Sequence, residues 1–325
     1  MHAIPGILTI IDTKLPAGRK RSYSMYTLTG LKLKNPTILA AGVLGTTGAS
    51  LYRVAREGGA GAVVTKSIGP APKTGHPNPS MVRLDCGFLN AMGLPNPSYT
   101  GFLQELEFAK KNSEAPVIAS IFGGNPSEFA EVAEGLLPAK PDAFELNVSC
   151  PHAEGYGAAI GSNPCLVEAV TAAVKDVVNV PVWVKLTPNV ADITCIGNAA
   201  ESGGADAVVA INTLKGMAID IESGYPVLGN RSGGLSGKAV KPVAVKCVYD
   251  LYTALEIPVI GVGGISSWED AVEMMMAGAA AVQVGSAVYN RVDVFSEIGA
   301  GIEAFLERKG YSDIKKIIGL AHEMV

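Results

Sequence analysis

Glu145-Leu146-Asn147-Val148-Ser149-Cys150-Pro151-His152 reads as a buried strand that runs out into a polar cluster, with a thiol just past the apolar stretch. Free cysteine is often inert core filling. This one follows a strand end, precedes a proline, and has Asn to one side and His to the other. That placement offers a thiol to a pocket as base or nucleophile. The same layout recurs along the chain: a short apolar, β-branched run, closed by Gly, Asn, Lys or Thr, then an amphipathic stretch. Eight candidate strands follow, at residues 37–41, 62–66, 117–120, 143–147, 182–185, 207–212, 259–262 and 281–285. Helical patterns lie between them, among them residues 164–178, 193–202 and 267–277. Strand alternating with helix implies a parallel sheet. Eight such repeats without a break in composition predict an α/β fold, a closed (β/α)₈ TIM barrel, over an open sheet. Gly59-Ala60-Gly61-Ala62, Gly203-Gly204-Ala205-Asp206-Ala207 and Ala277-Gly278-Ala279-Ala280 repeat one helix-to-strand turn, which supports a single architecture.

Two gaps are longer than the rest, residues 67–116 after strand two and 213–258 after strand six. Both inserts leave from C-terminal strand ends, the catalytic face of a barrel, where long loops build a lid or a substrate wall. The second insert would otherwise be decorative or serve subunit contact. Residues 1–24 are set apart as an N-terminal extension from one barrel domain over 25–325. They carry Arg19-Lys20-Arg21 after the apolar patch at 7–11, the reverse of a signal peptide's order. They read as a ragged extension before a start at Met25, with a docking arm as the alternative.

The chain has 325 residues, 48% hydrophobic, with net charge −4 and mean hydropathy +0.28. No apolar run approaches the ~18 residues that span a bilayer, so the hydropathy reports buried parallel strands and not a membrane protein. The balance of charge gives no nucleic-acid footprint. The five cysteines are widely spaced with no C-x-x-C, which argues against a metal or iron–sulfur site and against a disulfide framework. A reducing, cytoplasmic setting is expected.

The C-terminal strand ends converge on one chemistry. In order they carry Ala41-Gly42, Lys66-Ser67, Ser120, Asn147 with Cys150 beyond it, Lys185, Asn212-Thr213, Gly263-Gly264 and Gly285-Ser286. Lysine is rarely buried without a partner, so two lysines in one barrel mouth imply bound negative charge. The glycines after strands seven and eight suit a phosphate held by backbone N–H groups, with the insert at Gly233-Gly234-Leu235-Ser236-Gly237 completing the site. None of these is a nucleotide P-loop or a Rossmann fingerprint. Phosphate at one side, amides and lysines in the middle and a thiol above describe a flavin mononucleotide (FMN) barrel. Lys185 would sit by the N1–O2 edge of the ring. Asn side chains supply the donors and acceptors that a pyrimidine edge requires.

These residues carry a family resemblance. Thr65-Lys66-Ser67, Asn90-Ala91-Met92-Gly93-Leu94-Pro95-Asn96, residues 145–151, Val184-Lys185-Leu186-Thr187-Pro188-Asn189, Ile211-Asn212-Thr213-Leu214, residues 230–237 and 261–265, and Val284-Gly285-Ser286 together make a specific set. From about Met25 onward the chain resembles the class 1 dihydroorotate dehydrogenases, most closely the catalytic subunit of class 1B. By that resemblance Cys150 would remove a proton from C5 of dihydroorotate while hydride leaves C6 for flavin N5. Lys66, Asn90, Ala91, Met92, Gly93, Leu94, Asn147, His152, Asn212 and Thr213 would hold the substrate. Ala41, Gly42, Lys66, Ser67, Ser120, Asn147, Lys185, Ile211, Gly237, Gly263, Gly264, Gly285 and Ser286 would hold FMN. Two positions depart from the family's pattern. His152 stands where most class 1 enzymes have Asn, and Ser120 where many class 1B chains have Asn against the flavin.

The resemblance also implies a homodimer, or a heterotetramer with a second subunit carrying FAD and a [2Fe–2S] cluster that passes electrons to NAD. A fumarate-linked route, needing no such partner, is the alternative. The competing functions are a dihydropyrimidine dehydrogenase subunit, whose relatives share Ser-Cys-Pro-His, and a non-catalytic flavin-binding barrel. The insert at 216–237 is more similar to the dihydroorotate enzymes.

Overall fold

The computed structural model describes residues 25–149 and 158–323. The predicted extension, residues 1–24, and the predicted site residues Cys150 and His152 lie outside the described residues. Eight parallel strands close into a barrel in chain order: β1 (Thr37–Leu39), β2 (Ala62–Val64), β3 (Val117–Ile121), β4 (Ala143–Asn147), β5 (Val182–Lys185), β6 (Ala207–Ala210), β7 (Val259–Val262) and β8 (Ala279–Val284). A helix returns the chain after each: α1 (Gly48–Arg56), α2 (Ser98–Asn112), α3 (Pro126–Leu136), α4 (Pro164–Val177), α5 (Ile193–Ser202), α6 (Lys241–Ala254), α7 (Trp268–Met276) and α8 (Val294–Lys309). The TIM barrel read from the sequence is the fold observed. Strands β1, β2 and β6 end two residues before their predicted limits. There Ala40, Ala41, Lys66, Ile211 and Asn212 have left the ladder and line the barrel's mouth.

Pleating divides each strand between two cores. Val182 and Val184 of β5 pack outward with the helices, while Trp183 faces the barrel interior beside Ile38, Val64, Ile118, Val209 and Ile260. Fully burying one such aliphatic side chain stabilises the fold by about 1.5–3 kcal/mol. Polar residues at the loop-to-helix junctions start the helices where the pattern expects them. Thr47, Asn125, Asn163, Asp192 and Ser267 each accept a hydrogen bond from a backbone N–H of the first turn. At the return turn before β6, Gly204 has φ +88°, a conformation that favours glycine.

A hairpin not anticipated from the sequence plugs the N-terminal end of the barrel. Strands Tyr26–Leu28 and Leu31–Leu33 pair antiparallel across a two-residue turn, Thr29-Gly30, with both residues at positive φ. Leu28 and Leu33 enter the interior core, and Trp183 Nε1 donates to Thr29 Oγ1 at 3.1 Å. At the opposite end, segments of the two long inserts meet. Met81–Leu84 and Gly87–Asn90 from the first insert pair with Gly233–Ser236 and Leu214–Gly216 from the second in one antiparallel four-stranded sheet. The lid expected from two separate loops is thus a single roof.

Candidate active site

Between the C-terminal ends of the barrel strands and this roof lies a cavity of about 370 Å³. Its floor is built by the strand ends. Asn147 and Lys185 are register partners on β4 and β5, so both side chains face inward at one level. Lys66, Ser67, Ile211, Asn212 and Thr213 complete the middle of the site. Amides and hydroxyls are tied in a chain across four strands. Ser120 Oγ lies 2.9 Å from Ser67 Oγ, which accepts from Asn147 Nδ2 at 3.1 Å. Asn212 Nδ2 donates to Ser149 Oγ at 2.6 Å, and Ser149 Oγ donates to Asn147 Oδ1 at 3.2 Å. Side chains locked in this way present fixed donors and acceptors to a planar ligand.

One side of the cavity is backbone. Gly42, Gly237, Gly263, Gly264, Gly285 and Ser286 all line it. Gly264 has φ +72°, and a Cβ there would lie 2.6 Å from Lys241 Cβ and 3.0 Å from the Gly237 carbonyl oxygen, so the loops after β6 and β7 touch through bare backbone. Asp270 braces this loop from α7. It accepts from Ser266 N at 2.9 Å, Ser266 Oγ at 3.0 Å, Ser267 N at 3.1 Å and Lys241 Nζ at 2.7 Å. Burial works to raise the Asp270 carboxyl, but the bonds from Lys241 and Ser266 win and hold it below the ordinary carboxylate value. Bonds from Asp270 and Glu273 in turn hold the Lys241 ammonium above its ordinary value.

The roof supplies Phe88, Asn90 and Leu235, with Met92, Gly93 and Leu94 following the first of these strands. Asn90 Nδ2 donates to the Gly234 carbonyl at 3.2 Å, which joins the two inserts.

Most predicted site residues therefore meet in one cavity. Two described ones do not line it. Ser120 is fully buried behind Ser67 and reaches the site only through that hydroxyl. Ala91 faces away, because alternate residues of a strand point to opposite sides. Phe88 and Asn90 face the cavity, while Leu89 and Ala91 pack with Leu228. Sequence reasoning missed Ser80, Met81, Tyr289 and Gln283 in the lining, and Glu145 beneath it. The signal for the last two was present: one polar residue centred in an otherwise apolar strand, in Ala143-Phe144-Glu145-Leu146 and in Ala281-Val282-Gln283-Val284.

A barrel mouth with lysines and amides on a rigid floor and a glycine cradle at one side defines a small-molecule site of the enzyme type, in which charge and hydrogen bonds are fixed before a ligand arrives. A family model described as dihydroorotate dehydrogenase matches residues 24–306, and the chain belongs to that family. Relatives named dihydroorotate dehydrogenase B (NAD(+)), catalytic subunit, occur in Methanosarcina mazei, 94% identical over 96% of this chain and 99% of that one. Another, in Pyrococcus abyssi, is 57% identical over 90% of this chain and 97% of that one. Both agree with the class 1B resemblance read from the motifs. A solved structure of DHODH in complex with ferulenol from Eimeria tenella has a TM-score of 0.81 at 22% identity, covering 95% of this chain and 91% of that chain, and shares the fold.

Proposed function

We propose that this chain is the catalytic subunit of an FMN-dependent dihydroorotate dehydrogenase, oxidising (S)-dihydroorotate to orotate in pyrimidine biosynthesis. The observation that carries the reading is the meeting of Lys66, Lys185, Asn147 and Asn212 in one cavity flanked by a backbone glycine cradle. FMN fits that donor set. The backbone N–H groups at Gly237, Gly263, Gly264, Gly285 and Ser286 would hold its phosphate, and Lys185, Ser67 and Asn147 its ring. When bound, the flavin supplies the two-electron acceptor.

The chain's own residues do the rest. Asn90, Asn147, Asn212 and Thr213 would fix the plane of the pyrimidine, and Lys66 would meet its negative charge. Met92 and Leu94 would cover it and exclude water. Cys150 follows Ser149 directly in the chain, and Ser149 is tied to Asn147 and Asn212 at the cavity floor. That adjacency in the chain supports Cys150 as the base that takes the C5 proton. His152 would offer one further hydrogen bond to a substrate carbonyl or carboxylate.

No helix among the described residues is long and apolar enough to cross a membrane. Electrons would leave through a partner subunit with FAD and a [2Fe–2S] cluster toward NAD, in a heterotetramer built on a homodimer in the cytoplasm. Support for this route comes from the relatives, which are named as catalytic subunits of NAD(+)-type enzymes.

The test is spectroscopic. The purified chain should be yellow, and anaerobic dihydroorotate should bleach it. A colourless protein, or a flavin bleached by dihydrouracil and not by dihydroorotate, would overturn the reading. Cys150→Ala should keep its flavin and slow this bleaching by at least ~100-fold, the scale of a lost general base. Near-normal bleaching in stopped flow would remove Cys150 from that role.

A further inference from the structure

At the base of the cavity three polar side chains close a triangle inside the barrel. Lys185 Nζ donates to Gln283 Oε1 at 2.9 Å, and Gln283 Nε2 donates to Glu145 Oε2 at 2.5 Å. Lys185 Nζ stands 3.6 Å from Glu145 Oε1. Lys185 and Gln283 reach the cavity wall, while Glu145 is fully buried below it.

Charge neutralisation alone does not explain this geometry. A lysine and a carboxylate free to pair close to about 2.7–2.9 Å. Here the glutamine carbonyl holds the ammonium off, and Glu145 Oε1 receives no hydrogen bond from the described residues. Leaving a buried acceptor unmet costs about 1–3 kcal/mol, and more when it is charged. Buried pairs are also replaceable by packed apolar side chains with no loss of stability. The arrangement loosens the ion pair to 3.6 Å and keeps the ammonium at the cavity surface.

We propose that Gln283 and Glu145 are positioning residues for the reaction, acting through Lys185: Gln283 sets the ammonium against the flavin, and Glu145 sets how much of its charge the ring experiences. The proposal rests on the FMN reading. Two-electron reduction leaves negative charge on the ring, which a neighbouring ammonium stabilises and a neighbouring carboxylate opposes. Lys185 alone favours the reduced ring. Glu145 offsets that pull, so the ring can both accept and release electrons.

The experiment compares flavin content and midpoint potential in the parent and in Glu145→Gln, which keeps the shape and removes the charge. Flavin content should be unchanged. At a fixed solution potential the ratio of reduced to oxidised flavin should rise about tenfold or more, the scale of one unit charge roughly 10 Å away at an effective dielectric near 20. An unchanged or lower ratio would overturn the proposal. Gln283→Met keeps both charges and frees the ammonium to close on Glu145, so the ratio should fall. If Glu145→Gln does not fold, this second variant decides, and an unchanged or higher ratio counts against the proposal. A parent protein without flavin overturns the cofactor reading itself and the proposal with it, a result distinguishable before any variant is made.

Discussion

The floor of the cavity stands on a closed barrel with a core on each side of every strand, whereas the roof is a four-stranded sheet backed by one small cluster of Leu89, Ala91 and Leu228. On the floor, Asn147, Ser67 and Lys185 are each tied to neighbours on other strands. On the roof, Met81 and Met92 are each about two-fifths exposed, and the second insert leaves Ile219, Ile221 and Tyr225 largely in solvent. Regions with few buried contacts open at lower cost than the global fold. The difference assigns different work to the two halves. A rigid floor suits a cofactor that stays, and a thin roof suits a substrate that must enter and leave.

The sharpest break of this contrast is on the floor. Lys185→Met would leave Glu145 as an uncompensated buried charge, with an expected loss of about 3–5 kcal/mol in stability and loss of flavin. Denaturant melts and flavin content check both. Next, Leu89→Ala should cost about 2 kcal/mol, confined to the roof. Hydrogen exchange at residues 81–90 and 214–236 should quicken and substrate affinity fall, while exchange in the barrel strands stays as in the parent. Asn90→Ala removes one roof hydrogen bond worth about 1 kcal/mol, so the KM for dihydroorotate should rise about fivefold with flavin content unchanged. A loss of flavin in that variant would erase the proposed division between floor and roof.

The smallest effect concerns pH. Asp270 is depressed in the folded state, so its contribution to the glycine loop is fully present above the ordinary carboxylate value near ~4 and is lost as pH falls through the lower folded value. The gap in melting temperature between the parent and Asp270→Asn should be widest at neutral pH and close below about pH 4. A gap independent of pH would mean that the loop is held by shape alone.

Much of the floor was legible in the sequence because its determinants are local. Lys66, Asn147, Lys185 and Asn212 each end an apolar run, and in a parallel barrel every such end faces the same mouth. The hairpin plug was legible in principle, since Leu28-Thr29-Gly30-Leu31 places a glycine turn between two apolar pairs. Ser120 and Ala91 were not legible as residues outside the cavity lining. Their strands were evident, but the side of the pleat that faces the cavity was set by neighbours distant in the chain.

By itself, then, the sequence determined the barrel, the order of its strands and the polar residues at their ends, because side-chain period, turn chemistry and chain direction act over a few residues. Only the tertiary structure decided that strands of two inserts, more than a hundred residues apart, share one roof, and that Glu145, Gln283 and Lys185 meet below it. Strand pairing between distant segments and the closure of a polar triangle depend on distances that exist only after the barrel has closed.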